Sequence, residues 1–252
     1  MNTSPIPTNY QPPATLLSGR NLLVTGAGDG IGKVAAQTFA AHGATVILLG
    51  RTQAKLEAVY DSIVEAGHPL PILYPLDLEL AELAHYQLLR DSIETELGAL
   101  HGLLHNASLL GQRTPIADSD PVQWQRVMQV NVTAQMLLTR AMLPVLENAD
   151  NASVVFTSSG VGRKGKAYWG AYAVSKFATE GLMQVLADEL ENTSTTRVNS
   201  LNPGGTRTAM RAAAYPAEDP AILPTAESIM PAYLYLMGED SKHLNGQALS
   251  VR

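Results

Sequence analysis

The chain has 252 residues, 46% hydrophobic and 16% charged, enough apolar content for one large α/β core and too little charge for a disordered chain. A net charge of −6, with no basic run longer than two residues, argues against nucleic-acid binding, and the absence of cysteine excludes disulfides and thiolate metal sites. No metal site is expected. No segment approaches the ~18 apolar residues of a membrane span, and Met1–Thr15 lacks a signal-peptide pattern, so a cytoplasmic protein is expected.

Residues 1–18 are proline-rich and predict an irregular leader that lies along the surface or is partly mobile; residues 19–252 then read as one domain. Asn21–Thr25 is a short apolar run between Gly19 and Gly26, as a buried parallel strand requires. Helical spacing follows over Ile31–His42, then a strand at Ala44–Leu49, a helix at Thr52–Ala66, a strand at Pro71–Leu76 and a helix at Leu80–Leu97. Gly102–His105 is a strand, Pro121–Glu147 a long helical region, Ser153–Thr157 a strand, Ala171–Glu191 a helix and Arg197–Leu201 a strand. A helix at Thr225–Met237 and a last strand at Gln247–Val251 complete the pattern. Alternation of this kind builds right-handed βαβ units and a parallel sheet covered on both faces. Only Gly204–Pro224 lacks periodicity, and a loop that long predicts a substrate lid.

Thr25-Gly-Ala-Gly-Asp-Gly-Ile-Gly32 lies between the first strand and the first helix, where glycines let backbone approach a pyrophosphate at a helix N-terminus. Gly26, Gly28, Asp29, Gly30 and Ile31 are therefore candidate cofactor contacts. The end of the second strand meets the adenosine ribose in such folds; an acid there suits a free 2′-hydroxyl, a cation a 2′-phosphate. Leu48-Leu-Gly-Arg-Thr52 offers Arg51 and no acid before Glu57, which favours NADP(H) over NAD(H). Asp29 weighs mildly against a second phosphate-binding cation in the glycine turn. Tyr172 and Lys176 stand four apart in a helical run, so both side chains share a face one turn apart. An ammonium beside a phenol is expected to lower its pKa and make it a general acid/base. Alone, such a pair is more often a half-buried ring with its neighbour in water.

Together the residues resemble the classical short-chain dehydrogenase/reductases. The resemblance rests on the glycine turn, Asn106-Ala107 after the fourth strand, Asn131 in the long helix, Ser159, Tyr172-x-x-x-Lys176 and Pro203-Gly204, all in the family's order. Leu48–Arg51, Thr157–Arg163 and Asn202–Arg211 look closest to the YciK-type bacterial oxidoreductases. The resemblance implies a Rossmann-type doubly wound sheet of about seven strands in the order 3-2-1-4-5-6-7. It implies that Ser159 orients a substrate carbonyl, that Tyr172 is the general acid/base, and that Lys176 holds the nicotinamide ribose and lowers the Tyr172 pKa. Asn131 would kink its helix and hold a water that continues a proton relay to Lys176. By the same resemblance Asp77 and Leu78 meet the adenine, Asn106 and Ala107 floor the adenosine site, Pro203, Gly204 and Thr206 border the nicotinamide, and Thr208 reaches the pyrophosphate.

Two positions depart from the family pattern: His105 and Ser108 bracket Asn106-Ala107 where asparagine and glycine are usual, and His105 is given a structural role. Arg207, Met210, Arg211 and Tyr215 in the lid, with Arg163, Lys164, Lys166, Tyr168 and Trp169 on the opposite rim, place basic residues beside an apolar slot. Such a slot suits a carboxylate, phosphate or acyl-thioester substrate. The expected function is NADP(H)-dependent hydride transfer to or from a carbonyl or secondary alcohol, with a 3-oxoacyl thioester as an alternative substrate. An NADPH-binding regulator without turnover is the alternative from another class. Too little chain follows Leu201 for the substrate domain of an epimerase or dehydratase. The resemblance also implies a homodimer or homotetramer built on Ala171–Glu191 and the preceding long helix.

Overall fold

Seven parallel strands form a single sheet in the order β3-β2-β1-β4-β5-β6-β7, the predicted order, in a computed structural model that describes residues 6, 7 and 9–251. The strands are β1 (Asn21–Thr25), β2 (Thr45–Gly50), β3 (Ile72–Pro75), β4 (Gly102–His105), β5 (Ser153–Thr157), β6 (Arg197–Asn202) and β7 (Ala248–Ser250). Their short apolar runs are buried on both faces, which is why they read as continuous rather than alternating hydrophobic segments. In register, Val24 pairs with Leu48 on one side and Leu104 on the other, and Leu104 pairs with Val155.

One sheet face is covered by α1 (Gly30–Ala41), α2 (Gln53–Glu65) and α8 (Met230–Met237), whose Phe39, Leu56, Val59, Tyr233 and Leu236 share a core with Leu22, Val24 and Leu48. The other face carries α3 (Leu83–Leu97), α5 (Ala134–Glu147) and α6 (Gly170–Leu190), with Tyr86, Leu138, Met142 and Met183 packed on Leu23, Leu103 and Phe156. The strand order reverses between β1 and β4. Open α/β sheets place their ligand crevice at such a point, beyond the strand C-termini.

Three elements depart from the predicted pattern. The long helical region is α4 (Pro121–Met128), a π-helical turn at Gln129–Thr133, and α5. The interruption centres on Asn131, whose side chain bonds outside its own helix, and π turns of this kind are frequent at functional sites. The predicted lid loop contains a short helix, α7 (Ala209–Ala214), capped by the Thr208 hydroxyl, which accepts from the Arg211 N–H at 3.1 Å. The predicted helix at Thr225–Met237 begins as a 3₁₀ turn, Glu227–Ile229, and becomes α-helical at Met230 just before Pro231, which has no N–H to donate.

The leader is irregular where it is described. Leu17 is fully buried, Leu16, Ile6 and Tyr10 pack against the α8 side of the core, and the Tyr10 hydroxyl donates to Asp240 at 2.6 Å. The expectation for residues 1–5 and 8, and for position 252, falls outside the described residues. Among the described residues, no helix is long and apolar enough to cross a membrane and no cluster of His, Asp and Glu could hold a metal ion.

Candidate active site

Thr25, the last residue of β1, ties the switch point together. Its hydroxyl accepts from the Asn106 and Ala107 N–H groups at 2.9 and 3.0 Å and donates to the Leu104 carbonyl at 3.2 Å. The glycine turn then folds over Asn106 and Ala107 so closely that no side chain fits at Gly26 or Gly32. Gly26 has φ +69°, and a Cβ at Gly32 would lie 2.2 Å from the Gly26 carbonyl oxygen and 2.5 Å from Asn106 Nδ2. Gly32→Ala must therefore displace backbone; an overpacking cost of about 1–3 kcal/mol lowers Tm by roughly 2–10 °C, read by thermal denaturation.

Asp29 caps α1, accepting from the Gly30 N–H at 2.7 Å, and the first helical residues, Gly30 and Ile31, line an open cleft of about 440 Å³. Asp29 also pairs with Lys55, whose ammonium holds the Asp29 carboxyl below the usual carboxylate range. Arg51 and Lys55 both line the cleft beside Gly28. Sequence reasoning missed Lys55. Its only signal is its place one helical turn after Arg51 at the start of α2, where it brings a second cation to the position assigned to a 2′-phosphate.

Every predicted cofactor residue lines this one cleft: Gly26, Gly28, Asp29, Gly30, Ile31, Arg51, Asp77, Leu78, Asn106, Ala107, Tyr172, Lys176, Pro203, Gly204, Thr206 and Thr208. Asp77 follows β3, where its carboxylate accepts from the Glu79 N–H at 3.0 Å. Thr208 stands across the glycine turn, its methyl 3.5 Å from where a Gly30 Cβ would be.

Ser159 lines the same cleft, after β5 and before a 3₁₀ turn at Gly160–Gly162, and its hydroxyl meets the Tyr172 phenol. Tyr172 and Lys176 project from α6 on one face, with the Lys176 ammonium 5.6 Å from the Tyr172 ring centroid. The expected lowering of the tyrosine pKa is not what this geometry gives. Burial pushes Tyr172 up to about 12, against a smaller downward pull from Ser159. The ammonium donates instead to the Thr157 carbonyl at 2.8 Å, and burial brings Lys176 down to about 8 in spite of Glu180.

That depressed lysine destabilises the folded, cofactor-free protein. Between about pH 8 and its ordinary value of ~10.5 the unfolded chain binds more protons, so stability rises with pH; below pH 8 the full penalty is present. Lys176→Met removes a penalty of about 3 kcal/mol and leaves the Thr157 carbonyl unpaired at about 1 kcal/mol. Tm of the cofactor-free variant at pH 7 should rise by roughly 4 °C or more, and the gain should shrink toward pH 10.

Asn131 does not line the cleft. It is fully buried in the π turn, accepting from the Leu109 N–H at 2.7 Å and donating to the Leu109 carbonyl at 2.9 Å and the Ser175 hydroxyl at 3.0 Å. It thereby locks the loop after β4 to α6, with Ser175 beside Lys176. His105 is also buried; its Nε2 lies 2.8 Å from the Thr139 hydroxyl and its ring stacks on Phe156 at 4.6 Å. Burial, and secondarily the Lys176 charge, bring its pKa down to about 3, so the ring is neutral.

The short chain dehydrogenase family model matches residues 20–219. The chain belongs to that family. It is 53% identical over 244 residues to the uncharacterized oxidoreductase YciK of Escherichia coli, covering 97% of this chain and 96% of that protein. A short chain dehydrogenase structure from Pseudomonas syringae superposes with a TM-score of 0.95 at 56% identity, covering 97% of this chain and 99% of the other. A Shigella flexneri short chain dehydrogenase complexed with NADP gives a TM-score of 0.92 at 52% identity, covering 95% and 99% of the two chains.

In this short-chain dehydrogenase most of the basic residues predicted to rim the substrate slot already have partners within the protein. Arg163 bonds to Glu180 at 3.0 Å and to the Leu249 carbonyl at 2.7 Å, bracing β7 against α6. Arg207 donates to the carbonyls of Pro220, Ala221 and Leu223 and closes the lid loop on itself. Arg211 forms a bidentate pair with Glu218, both bonds at 2.6 Å. Lys166 does face the rim, where it donates to the Tyr215 hydroxyl at 3.0 Å. Arg113, unremarked in the sequence, joins it there.

Proposed function

We propose that this chain is an NADP(H)-dependent oxidoreductase acting on a carbonyl or secondary-alcohol group, with Tyr172 as its general acid/base. The observation that carries the reading is the meeting of Ser159, Tyr172 and Lys176 in the same cleft that holds the glycine turn and Arg51. NADP in the Shigella flexneri relative supports the cofactor assignment. The residues fit such a dinucleotide. Side chains at Gly26, Gly28 and Gly32 would collide with their neighbours, so the backbone of the turn lies bare beside the α1 N-terminus, where phosphates bind. Arg51 and Lys55 suit the 2′-phosphate, Asp77 and Leu78 the adenine, Asn106 and Ala107 the adenosine floor, and Thr208 the pyrophosphate. Pro203, Gly204, Thr206 and Lys176 line the same cleft and would border the nicotinamide riboside. Bound there, the reduced nicotinamide supplies a hydride.

The protein's own residues do the rest. With its pKa near 12, the Tyr172 phenol carries its proton at neutral pH and is ready to donate it to a developing alkoxide. Ser159 donates a hydrogen bond to the same oxygen and fixes its position. Lys176, with a pKa near 8, stays charged at neutral pH and favours return of a proton to the site from solvent. Asn131 holds the loop at Leu109 and the α6 backbone in register behind this set.

Exposed Val174, Phe177 and Val185 fall on one stripe of α6, and Met136 of α5 is exposed as well, which supports a homodimer or homotetramer. A panel of aldehydes, ketones and 3-oxoacyl thioesters, followed by NADPH absorbance, tests the activity. Oxidation of NADPH with at least one class is expected. Tight NADPH binding with no oxidation across the panel would instead favour a regulator without turnover.

A further inference from the structure

Beyond Tyr172 the cleft is apolar and then abruptly cationic. Trp169, Ala173 and Ala214 are buried around the phenol, with Leu110, Val161, Met210 and Tyr215 packed against them. The Trp169 ring centroid lies 5.7 Å from that of Tyr172 and 5.8 Å from that of Tyr215, so two ring steps lead from the phenol to the rim. At the rim three cations crowd one ring. Arg211 Cζ stands 3.9 Å from the Tyr215 centroid, Arg113 Cζ 4.9 Å, and Lys166 Nζ 5.4 Å. Arg113 also lies 4.7 Å over the Trp169 ring.

Glu218 neutralises only Arg211. Arg113 and Lys166 have no carboxylate partner among the described residues, so the rim holds two uncompensated positive charges. Aromatic faces attract these cations but do not cancel their charge. A second observation points the same way. The Trp169 indole N–H, in a residue only 6% exposed, has no hydrogen-bond partner, and neither do the buried hydroxyls of Ser108 and Ser158, which line the same cleft. Ser108 and Ser158 adjoin Ala107 and Ser159, so of these three atoms only the Trp169 N–H lies between Tyr172 and the rim, where a ligand that brings an acceptor would satisfy it.

We propose that the substrate is an anion: a carbonyl compound whose reactive carbon is joined by an aliphatic spacer to a carboxylate or phosphate held by Arg113 and Lys166. The anion takes the fourth place around Tyr215 and neutralises the two free cations, while the spacer lies along Trp169, Met210 and Ala214. Arg113 and Lys166 are thus specificity-determining residues remote from the reacting atoms. This rests on the oxidoreductase reading for which end of the cleft holds the carbonyl, but its test needs no turnover.

An extended chain advances ~1.3 Å per bond, so about nine bonds span the two ring steps, and an eight-carbon chain covers most of that path. Octanoate, octyl phosphate and 1-octanol should be titrated calorimetrically into the NADP-saturated protein. At least one of the two anions should bind about tenfold or more tighter than the alcohol, and which one does so separates carboxylate from phosphate recognition. In the Arg113→Gln/Lys166→Gln variant that preference should disappear, while Lys166→Arg alone should retain it. Both positions are solvent-exposed, so the variants should fold. Equal binding of anions and alcohol to the unmutated protein, or a preference that survives in the double variant, would overturn the proposal. The result is independent of whether Tyr172 performs chemistry, so the two readings fail separately.

Discussion

Tyr172→Phe should lower kcat by about 10²–10⁴-fold and leave the NADPH dissociation constant within about twofold. The change removes one hydroxyl from a ring that keeps its packing between Trp169 and Ala173, so the fold and the cleft wall survive. What is lost is the proton donor. Water substitutes poorly, because the ring is buried and Ser159 lies against the missing oxygen. The pH profile adds a sign. With Lys176 near 8, its charge is lost as pH rises through that value, so kcat for reduction should fall above about pH 8 if the lysine supplies protons to the site. A profile flat from pH 6 to 10 would remove Lys176 from that role.

Arg51→Asp should weaken NADPH binding by about 10²-fold or more and make NADH the preferred dinucleotide. The substitution deletes a charge-assisted donor and puts a carboxylate where a phosphate dianion is to sit. For NADH the same carboxylate can accept from the ribose hydroxyls, so its affinity should hold or improve. Lys55→Gln should cost less than Arg51→Asp, because Asp29 already compensates much of the Lys55 charge. Fluorescence titration with both dinucleotides checks the order; comparable NADPH and NADH affinities in the unmutated protein would remove Arg51 from the selectivity argument.

Short apolar runs punctuated by glycine and proline were sufficient to place all seven strands, and β4 and β5 fall where the pattern puts them to the residue. In the cofactor half of the cleft the glycine turn and Arg51 were legible from their places at the ends of the first two strands, whereas Asp77, Leu78, Asn106, Ala107, Pro203, Gly204, Thr206 and Thr208 were legible only through the family resemblance. The resemblance implied a kink at Asn131, and the helix is interrupted there; that the interruption is a π turn whose side chain binds Leu109 and Ser175 was not legible, because those contacts are remote in sequence. The Tyr172 pKa was misread because four-residue spacing brings the ammonium near but does not aim it, and the Thr157 carbonyl captures it. Arg113 escaped notice because it is an isolated cation in a loop that meets Trp169 and Tyr215 only in the folded chain. Spacing alone likewise could not say which lid arginines keep a free charge, since Arg207 and Arg211 both bond within the lid.

The most direct measurement is isotope transfer. NADPH carrying deuterium at both hydrogens of nicotinamide C4 is incubated with the protein and the carbonyl panel, and the alcohols are read by mass spectrometry. Deuterium at the carbinol carbon of at least one product, reduced at least about 10²-fold in Tyr172→Phe, is the predicted result. No transfer to any carbonyl despite saturating NADPH, or equal transfer by the variant, would contradict the account.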